Sequence, residues 1–294
     1  MKYSKSNPPL VCMQTQSTCY NGTSRMTVRG LLVHSTGANN PNLKRYVQPS
    51  DDAKDKAEML KMLGTNTNRN DWNHIQQQAG LNYWIGKLAD GSVATVQTMP
   101  WDYRPWGCGS GSKGSCNNGW IQGEICEDGL SDRSYCLKTY EENAELAAYL
   151  FTLFNLDPLG TVAQNGVKVP TILCHQDSYK LGLGSNHGDV MHWWPKHGLT
   201  MDGFRHDVLD IMNASGWSIA TSPSAPSPSS GVPYTVIVTA PALNIRREGK
   251  DGAVIVGCIY DNGACTIVEE SKDGKWGRLK SGAGWIALAF TRKA

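Results

Sequence analysis

A run rich in serine, proline and alanine near the C-terminal end places the strongest constraint on how this chain folds. Residues 218–232, SIATSPSAPSPSSGV, carry no charge and have little apolar surface to bury. Such a composition is typical of an extended linker rather than of a packed element. It therefore predicts a domain of residues 1–217, a linker of residues 218–232 and a small domain of residues 233–294.

Composition and charge exclude several classes of protein. The 294 residues are 40% hydrophobic and 18% charged, which indicates a packed core rather than general disorder. A net charge of +2 does not suit an electrostatic nucleic-acid binder. No apolar run approaches the roughly 20 residues that cross a bilayer, so we expect no membrane insertion. The start, MKYSKSNPPLVCMQ, lacks the apolar core of a signal peptide, which predicts synthesis in the cytoplasm without an export signal.

Strand and helix patterns alternate through the first domain. Short apolar runs predict strands, and capping residues with helical spacing predict helices. Strands are expected at residues 27–34, 119–127 and 170–175, a hairpin at 81–97 around Asp90 and Gly91, and helices at 50–64 and 140–154. This alternation predicts an α/β fold with a mixed β-sheet flanked by helices.

The tail has a different pattern. Short apolar runs (YTVIVTA, VIVGCIY, CTIVEE, WGRLK and GWIALAF) alternate with turns of Gly, Asp and Asn. This is typical of a small all-β barrel. The tail carries 9 Lys and Arg against 6 Asp and Glu, a mild positive charge that suits an anionic surface.

Histidines stand at the ends of two predicted strands. His34 ends one and His175 ends another, and strand ends of α/β sheets are where ligands collect. Downstream, SNHGDVMHWW brings His187, Asp189 and His192 close together. Two histidines and a carboxylate with an open fourth position are typical of catalytic zinc, which activates water and polarises a carbonyl. The mixed nitrogen and oxygen set favours zinc over calcium or magnesium. The pattern alone leaves open which residue of the cluster is the third ligand.

Other notable residues fit structural roles. His74, His197 and His206 are interpreted as structural histidines, and Cys174 as a buried packing residue. The glycine-rich run 107–119 lacks the Lys-Ser/Thr ending of a phosphate loop and is interpreted as a surface loop near a groove. The nine cysteines leave pairing open, with Cys108–Cys116 and Cys12–Cys19 as candidate pairs in an oxidising medium. Four tryptophans fit either a substrate groove or the core: Trp101, Trp106, Trp193 and Trp194.

Four motifs in order resemble a known family. They are VRGLLVHSTGANN, NYWIGKLADGSV, WIQGEICEDG and CHQDSYKLGLGSNHGDVMHWWP, within about residues 25–212. Together they resemble the type 2 N-acetylmuramoyl-L-alanine amidases, which include phage lysozyme-like amidases and peptidoglycan recognition proteins. The tail, through ALNIRREG, WGRLK and GAGWIALAF, resembles a bacterial SH3-like domain. The resemblance implies a modular endolysin with a zinc amidase fold, peptidoglycan as its partner and an SH3-like wall-binding domain.

The resemblance implies roles for single residues. It places zinc on His34, His175 and Asp189. His187 stands where the family usually has a catalytic Lys, and we expect it to stabilise the oxyanion. The alternative is that His187 is the third ligand and that Asp189 hydrogen-bonds to His187 without contacting the zinc. We favour Asp189 as the third ligand.

Further roles follow from the same motifs. The resemblance implies that Glu124 is the general base and that Tyr83 lies near the zinc water, where either residue would help to remove its proton. From the residues alone, Glu124 also fits a solvent-facing strand position and Tyr83 also fits core packing. No covalent nucleophile is required. In the tail, the candidates for wall binding are Trp276, Trp285, Tyr260 and Arg246, each of which also fits a place in the core or in a turn.

The expected activity is zinc-dependent hydrolysis of the amide between N-acetylmuramic acid and L-alanine in peptidoglycan. Two alternatives remain: a recognition module without catalysis, and a zinc endopeptidase that cuts within the stem peptide. The missing export signal suits a phage or prophage endolysin that reaches the wall through a phage-encoded pore.

Overall fold

The computed structural model describes residues 1–217, 232–240, 242–260 and 263–294. The chain divides into an N-terminal unit, Met1–His197, and a C-terminal unit, Gly198–Ala294. Residues 218–231 of the expected linker lie outside the described residues. Within the described residues, no helix is both long enough and apolar enough to cross a membrane.

A mixed sheet organises the N-terminal unit. Its strands are β1 (Leu10–Val11), β2 (Gly30–Asn39), β3 (Tyr83–Lys87), β4 (Val93–Gln97), β5 (Trp120–Glu127) and β8 (Ile172–Cys174), while β6 (Thr161–Gln164) and β7 (Val167–Pro170) form a separate hairpin. Among the described residues the sheet order is β1-β4-β3-β5-β2-β8. Strands β3, β5, β2 and β8 run parallel, and β4 is antiparallel to β3. This confirms the prediction of a mixed α/β fold.

The helices of the described residues are α1 (Thr18–Gly22), α2 (Lys56–Leu63), α3 (Arg133–Phe154), α4 (His175–Lys180) and α5 (Met201–Ala214), with 3-10 turns at Leu43–Arg45, Trp194–His197 and Leu288–Phe290. Helix α3 begins earlier than the apolar spacing predicts, because the Asp132 side chain caps it by accepting from the Tyr135 amide at 3.1 Å. Helix α2 begins later than predicted, at Lys56.

The candidate site residues His34 and Glu124 lie on one face of the sheet, and helix α3 covers the other face. Side chains alternate along a strand, so register partners on parallel strands share a face. His34 is the register partner of Glu124, and Glu124 is the partner of Trp84. On the other face the Tyr83 ring lies over Gly123, where a Cβ would come within 2.3 Å of the ring. The Tyr83 hydroxyl donates to Asn143 of α3 at 2.9 Å, so that face is the helix-covered one.

The C-terminal unit contains a seven-stranded sheet among the described residues, in the order β11-β10-β14-β13-β12-β9-β15. The strands are β9 (Tyr234–Val238), β10 (Leu243–Arg246), β11 (Ile255–Ile259), β12 (Ala264–Glu270), β13 (Trp276–Leu279), β14 (Trp285–Ala287) and β15 (Thr291–Lys293). The five apolar runs in the tail correspond to β9, β11, β12, β13 and β14. The prediction of an all-β tail is therefore confirmed. Strands β10 and β15 were not among the five predicted runs.

Helix α5 packs within the C-terminal unit, although the linker pattern groups it with residues 1–217. Arg246 of β10 donates to Asp207 of α5, and one of its nitrogens lies 3.3 Å from Asp210. Arg246 also donates to the Ala253 carbonyl at 2.8 Å. The pattern of composition marks the linker, but it does not show which neighbour a helix beside that linker packs against.

Candidate metal and catalytic site

Two parallel strands bring the predicted histidine ligands together. Strands β2 and β8 are neighbours, with Val33 opposite Cys174. The next residues along these strands are His34, still in β2, and His175, which begins α4. Asp189 lies in the loop after α4, and its carbonyl accepts from the Gln176 amide at 3.1 Å. The carboxyl edge of the sheet thus positions all three side chains.

The ligand atoms of these residues converge. The Nδ1 atoms of His34 and His175 are 3.0 Å apart. Asp189 Oδ2 lies 3.1 Å from His34 Nδ1, and its Oδ1 lies 3.5 Å from His175 Nδ1. All three residues are buried, and their ligand atoms lie within 4.8 Å of one another. Two imidazole nitrogens and a carboxylate are a donor set that suits zinc, so the residues fit the metal that the sequence predicts.

The charges of this group depend on one another. Burial alone would raise the pKa of Asp189, but hydrogen bonds with His175 and His34 hold that pKa far below its usual value. Burial works against a charge on His34, yet its hydrogen bond with Asp189 raises the pKa of His34. Burial lowers the pKa of His175. Asp189 is therefore an anion in a buried setting, which is the condition for attracting a cation.

Glu124 lies beside this group, one strand away from His34. Its side chain is partly exposed, but Oε2 is enclosed and has no hydrogen-bond partner among the described residues. Burial raises the pKa of Glu124 to about 8, with His34 lowering it and Asp189 raising it. A carboxyl group with a raised pKa and a free acceptor atom is suited to exchanging protons near neutral pH.

His187 and His192 take different positions around the ligands. His187 is exposed, its ring centre lies 4.5 Å from that of His175, and its Nδ1 is 3.1 Å from Ser185 Oγ. His192 Nε2 lies 2.8 Å from Glu127 Oε1, and this contact raises the pKa of His192. Asp189, rather than His187 or His192, completes the converging group with the two buried histidines.

Tyr83 lies apart from this group. Its hydroxyl donates to Asn143 and its ring packs over Gly123, on the helix-covered face opposite to His34 and Glu124. Burial raises the pKa of its hydroxyl far above the usual value. The structure therefore does not bring Tyr83 to the converging atoms of His34, His175 and Asp189 as the family motif implied, because neighbouring residues of a strand point to opposite faces.

Several other predicted features now have a place. Trp193 and Trp194 are fully buried and belong to the core, while Trp101 and Trp106 remain partly exposed. His74, His197 and His206 hydrogen-bond to Asp71, the Leu130 carbonyl and the Asp202 carbonyl respectively, in line with structural roles. In the described residues all nine cysteines are free thiols. Burial raises the pKa of Cys174 to about 12, which suits packing rather than attack.

Two residues that contact the ligands were missed by the sequence argument. Gln122 Oε1 lies 2.8 Å from His34 Nε2, and Ser185 Oγ lies 3.1 Å from His175 Nε2. Gln122 stands two residues before Glu124 in β5, so the alternation of side chains places both on one face of the sheet. This spacing could have identified Gln122 from the sequence. Ser185 lies in an irregular loop, and no sequence pattern could have identified it.

The wall-binding candidates divide into two pairs. Arg246 and Trp276 are buried inside the C-terminal unit, with the guanidinium 5.6 Å from the Trp276 ring. They do not present a surface to a large ligand there, since Arg246 is engaged by α5. Trp285 is partly exposed, and Tyr260 is 53% exposed.

A comparison with solved structures found matches that are below 20% identity and have TM-scores below 0.5. The hydrolase AmiA of Staphylococcus aureus, solved with its ligand, is 15% identical with a TM-score of 0.46, covering 71% of this chain and 85% of that chain. The catalytic domain of XlyA is 18% identical with a TM-score of 0.38, covering 67% and 97%. A mutant endolysin from Bacillus subtilis is 15% identical with a TM-score of 0.38, covering 66% and 97%.

A comparison with curated proteins found no match. A comparison with protein-family models matched residues 24–189 to the family Amidase_2, described as N-acetylmuramoyl-L-alanine amidase. The matched range contains His34, His175 and Asp189, whose ligand atoms converge, and Glu124, the register partner of His34. Since this match spans more than half of the chain, the protein belongs to the N-acetylmuramoyl-L-alanine amidase family.

Proposed function

We propose that this protein is a zinc-dependent amidase that hydrolyses the bond between N-acetylmuramic acid and L-alanine in bacterial peptidoglycan. The observation that carries the proposal is the convergence of His34 Nδ1, His175 Nδ1 and the Asp189 carboxylate beside Glu124. Family membership indicates which amide bond a site of this kind acts on.

The three buried ligands would hold the metal. Zinc in such a site acts as a Lewis acid on the carbonyl and lowers the pKa of water. Asp189 contributes the negative charge, and the two imidazoles contribute neutral donors whose orientation is set by the sheet edge and by α4.

Glu124 and His187 are proposed to move and stabilise charge. Glu124 would accept a proton from the attacking water at its unpartnered Oε2 and return a proton to the leaving amine of L-alanine. His187, exposed next to His175, would donate a hydrogen bond to the carbonyl oxygen as negative charge develops there. No cysteine is needed in this scheme.

The C-terminal unit is proposed to be an SH3-like domain that targets the protein to the wall, giving the two-part plan of an endolysin. The all-β sheet of this unit and the mild positive charge of residues 233–294 support this proposal. Trp285 and Tyr260 are the candidates whose side chains reach the surface.

The first experiment measures metal content by mass spectrometry and digests purified walls with the wild-type protein, Asp189→Ala and the control Asp52→Ala. Asp52 is an exposed residue outside the converging group. We expect one zinc per chain and new L-alanine amino termini for the wild type and the control, and loss of both for Asp189→Ala.

The products also separate the alternatives. New amino termini on other residues of the stem peptide would indicate an endopeptidase instead. Binding to walls without release of any amine would indicate a recognition module. Zinc retained by Asp189→Ala would transfer the third ligand position to His187 or His192.

A further inference from the structure

The side of His34 that faces away from Asp189 and His175 is held by a chain of hydrogen bonds. Its Nε2 lies 2.8 Å from Gln122 Oε1. The Gln122 Nε2 donates to Asn117 Oδ1 at 2.9 Å. Asn117 Oδ1 in turn accepts from the backbone amides of Cys108, at 3.1 Å, and Gly107, at 3.3 Å. Gln122 is fully buried, and Asn117 and Cys108 are buried as well.

The direction of each bond in this chain follows from its far end. Backbone amides only donate, so the Asn117 atom that faces them is the acceptor, Oδ1. The Gln122 atom facing Oδ1 must then be the donor, Nε2, which leaves Oε1 facing His34. An oxygen there accepts a hydrogen bond from the Nε2–H of His34, and a neutral imidazole with its proton on Nε2 has its lone pair on Nδ1.

The loop at the far end of this hydrogen-bond chain approaches Gln122 and His34 closely at Gly107. A Cβ on Gly107 would come within 2.3 Å of Gln122 Oε1 and 3.2 Å of His34 Nε2. Residue 107 therefore has to be glycine for the loop to approach this closely. The glycine-rich run 107–119, which the sequence suggested was a surface loop, supplies the far end of the hydrogen-bond chain.

The same peptide region faces the second histidine. The Cys108 carbonyl accepts from the Ser185 amide at 2.8 Å and lies 3.1 Å from Ser185 Oγ. Ser185 Oγ lies 3.1 Å from His175 Nε2. Both Nε2 atoms thus face partners anchored at Cys108, and both Nδ1 atoms face Asp189.

We propose that Gln122 is a positioning residue that fixes His34 as its Nε2-protonated form, so that the Nδ1 lone pair is available to the metal. The proposal rests on the metal site of the proposed function. Gln122 acts on the tautomer of His34 and does not contact the substrate. Partners of this kind typically contribute about 10–100-fold to metal affinity.

The test uses the full chain and three variants. Gln122→Leu removes the acceptor for His34, and Gln122→Glu keeps an acceptor oxygen there. Gln48→Leu is the matched control, because Gln48 is a buried glutamine whose amide donates to the Gly64 carbonyl rather than contacting a ligand histidine. Zinc affinity is measured by competition with a chromophoric chelator, and folding by circular dichroism. The ¹⁵N shifts of the His34 ring in the zinc-loaded wild type report its protonated nitrogen without any substitution.

We expect the proton of His34 on Nε2, and zinc affinity about 10–100-fold weaker for Gln122→Leu. Gln122→Glu keeps the acceptor facing His34 but loses the donor to Asn117, so it should weaken zinc binding less than Gln122→Leu does. Gln48→Leu should stay close to the wild type. Undiminished zinc affinity in folded Gln122→Leu, or a proton on His34 Nδ1 with zinc bound, would overturn the proposal.

The outcome is separable from that of the proposed function. If Gln122→Leu weakens zinc binding while the wild-type protein releases no L-alanine amines from walls, the positioning role is supported and the amidase activity is rejected. A wild-type protein that binds no zinc would reject the metal site, and this role with it.

Discussion

Glu124 has a carboxyl group in a setting that disfavours its charge. Its folded-state pKa is about 8, against an ordinary value of 4.5. Between these two values the folded, metal-free protein holds a proton that the unfolded chain has released. The stability of the metal-free protein should therefore fall as pH rises from about 4.5 to about 8, and Glu124→Gln should remove this part of the slope.

Urea unfolding of chelator-treated protein at several pH values in this window measures the effect. Glu58→Gln is the control, since it makes the same change at an exposed position on α2. Because other groups also titrate, the slope of each variant is compared with that of the wild type. Equal slopes for Glu124→Gln and the wild type would contradict the raised pKa.

The same residue also has a predicted catalytic effect. With zinc loaded, Glu124→Gln should bind the metal normally but lose about 10²–10⁴-fold in kcat, since the amide cannot accept the proton of the attacking water. Release of L-alanine amines from soluble wall fragments measures this loss, with zinc content measured in parallel. Loss of zinc together with activity would instead assign Glu124 a part in holding the metal.

Among the elements, helix α5 and strand β10 share a buried ion pair. The side chains of Arg246 and Asp207 are each only 7% exposed. Removing one member of a buried pair leaves an uncompensated charge, which typically costs about 3–5 kcal/mol. Arg246→Ala should therefore destabilise the C-terminal unit by about this amount, most visibly as faster hydrogen exchange in β9, β10 and β11.

Arg247 provides the control for this prediction. It is the next residue along the chain, but it is exposed. Arg247→Ala removes the same charge from the unit and should leave the exchange of these strands nearly unchanged. Similar acceleration in both variants would show that net charge, rather than the pairing with α5, is what matters.

For the whole molecule, the separation of catalysis from wall binding is the main prediction. A chain ending at Trp217 lacks all of the C-terminal strands but keeps every residue of the proposed metal site. The truncated chain should lose a larger fraction of its wall binding, measured by co-sedimentation, than of its turnover of soluble wall fragments. Since α5 packs within the C-terminal unit, the truncated chain must first show wild-type helix content by circular dichroism. Equal loss of binding and turnover would argue against a targeting role.

Local pattern was sufficient for much of this protein. The β-branched and apolar runs, the capped helices and the change to short strands in the tail predicted both fold classes, because hydrophobic periodicity and turn residues act within a few positions of the chain. The family motifs also identified His34, His175 and Asp189, which the fold brings together. Whether they hold zinc stays a prediction.

Only the tertiary structure decided matters that depend on distant residues. It placed Tyr83 on the helix-covered face, Arg246 beneath α5, and Gln122 against His34 Nε2. Each depends on strand register or on a contact between residues far apart in sequence. A sequence pattern specifies which residues alternate along one strand, but it does not specify which loop or helix covers each face.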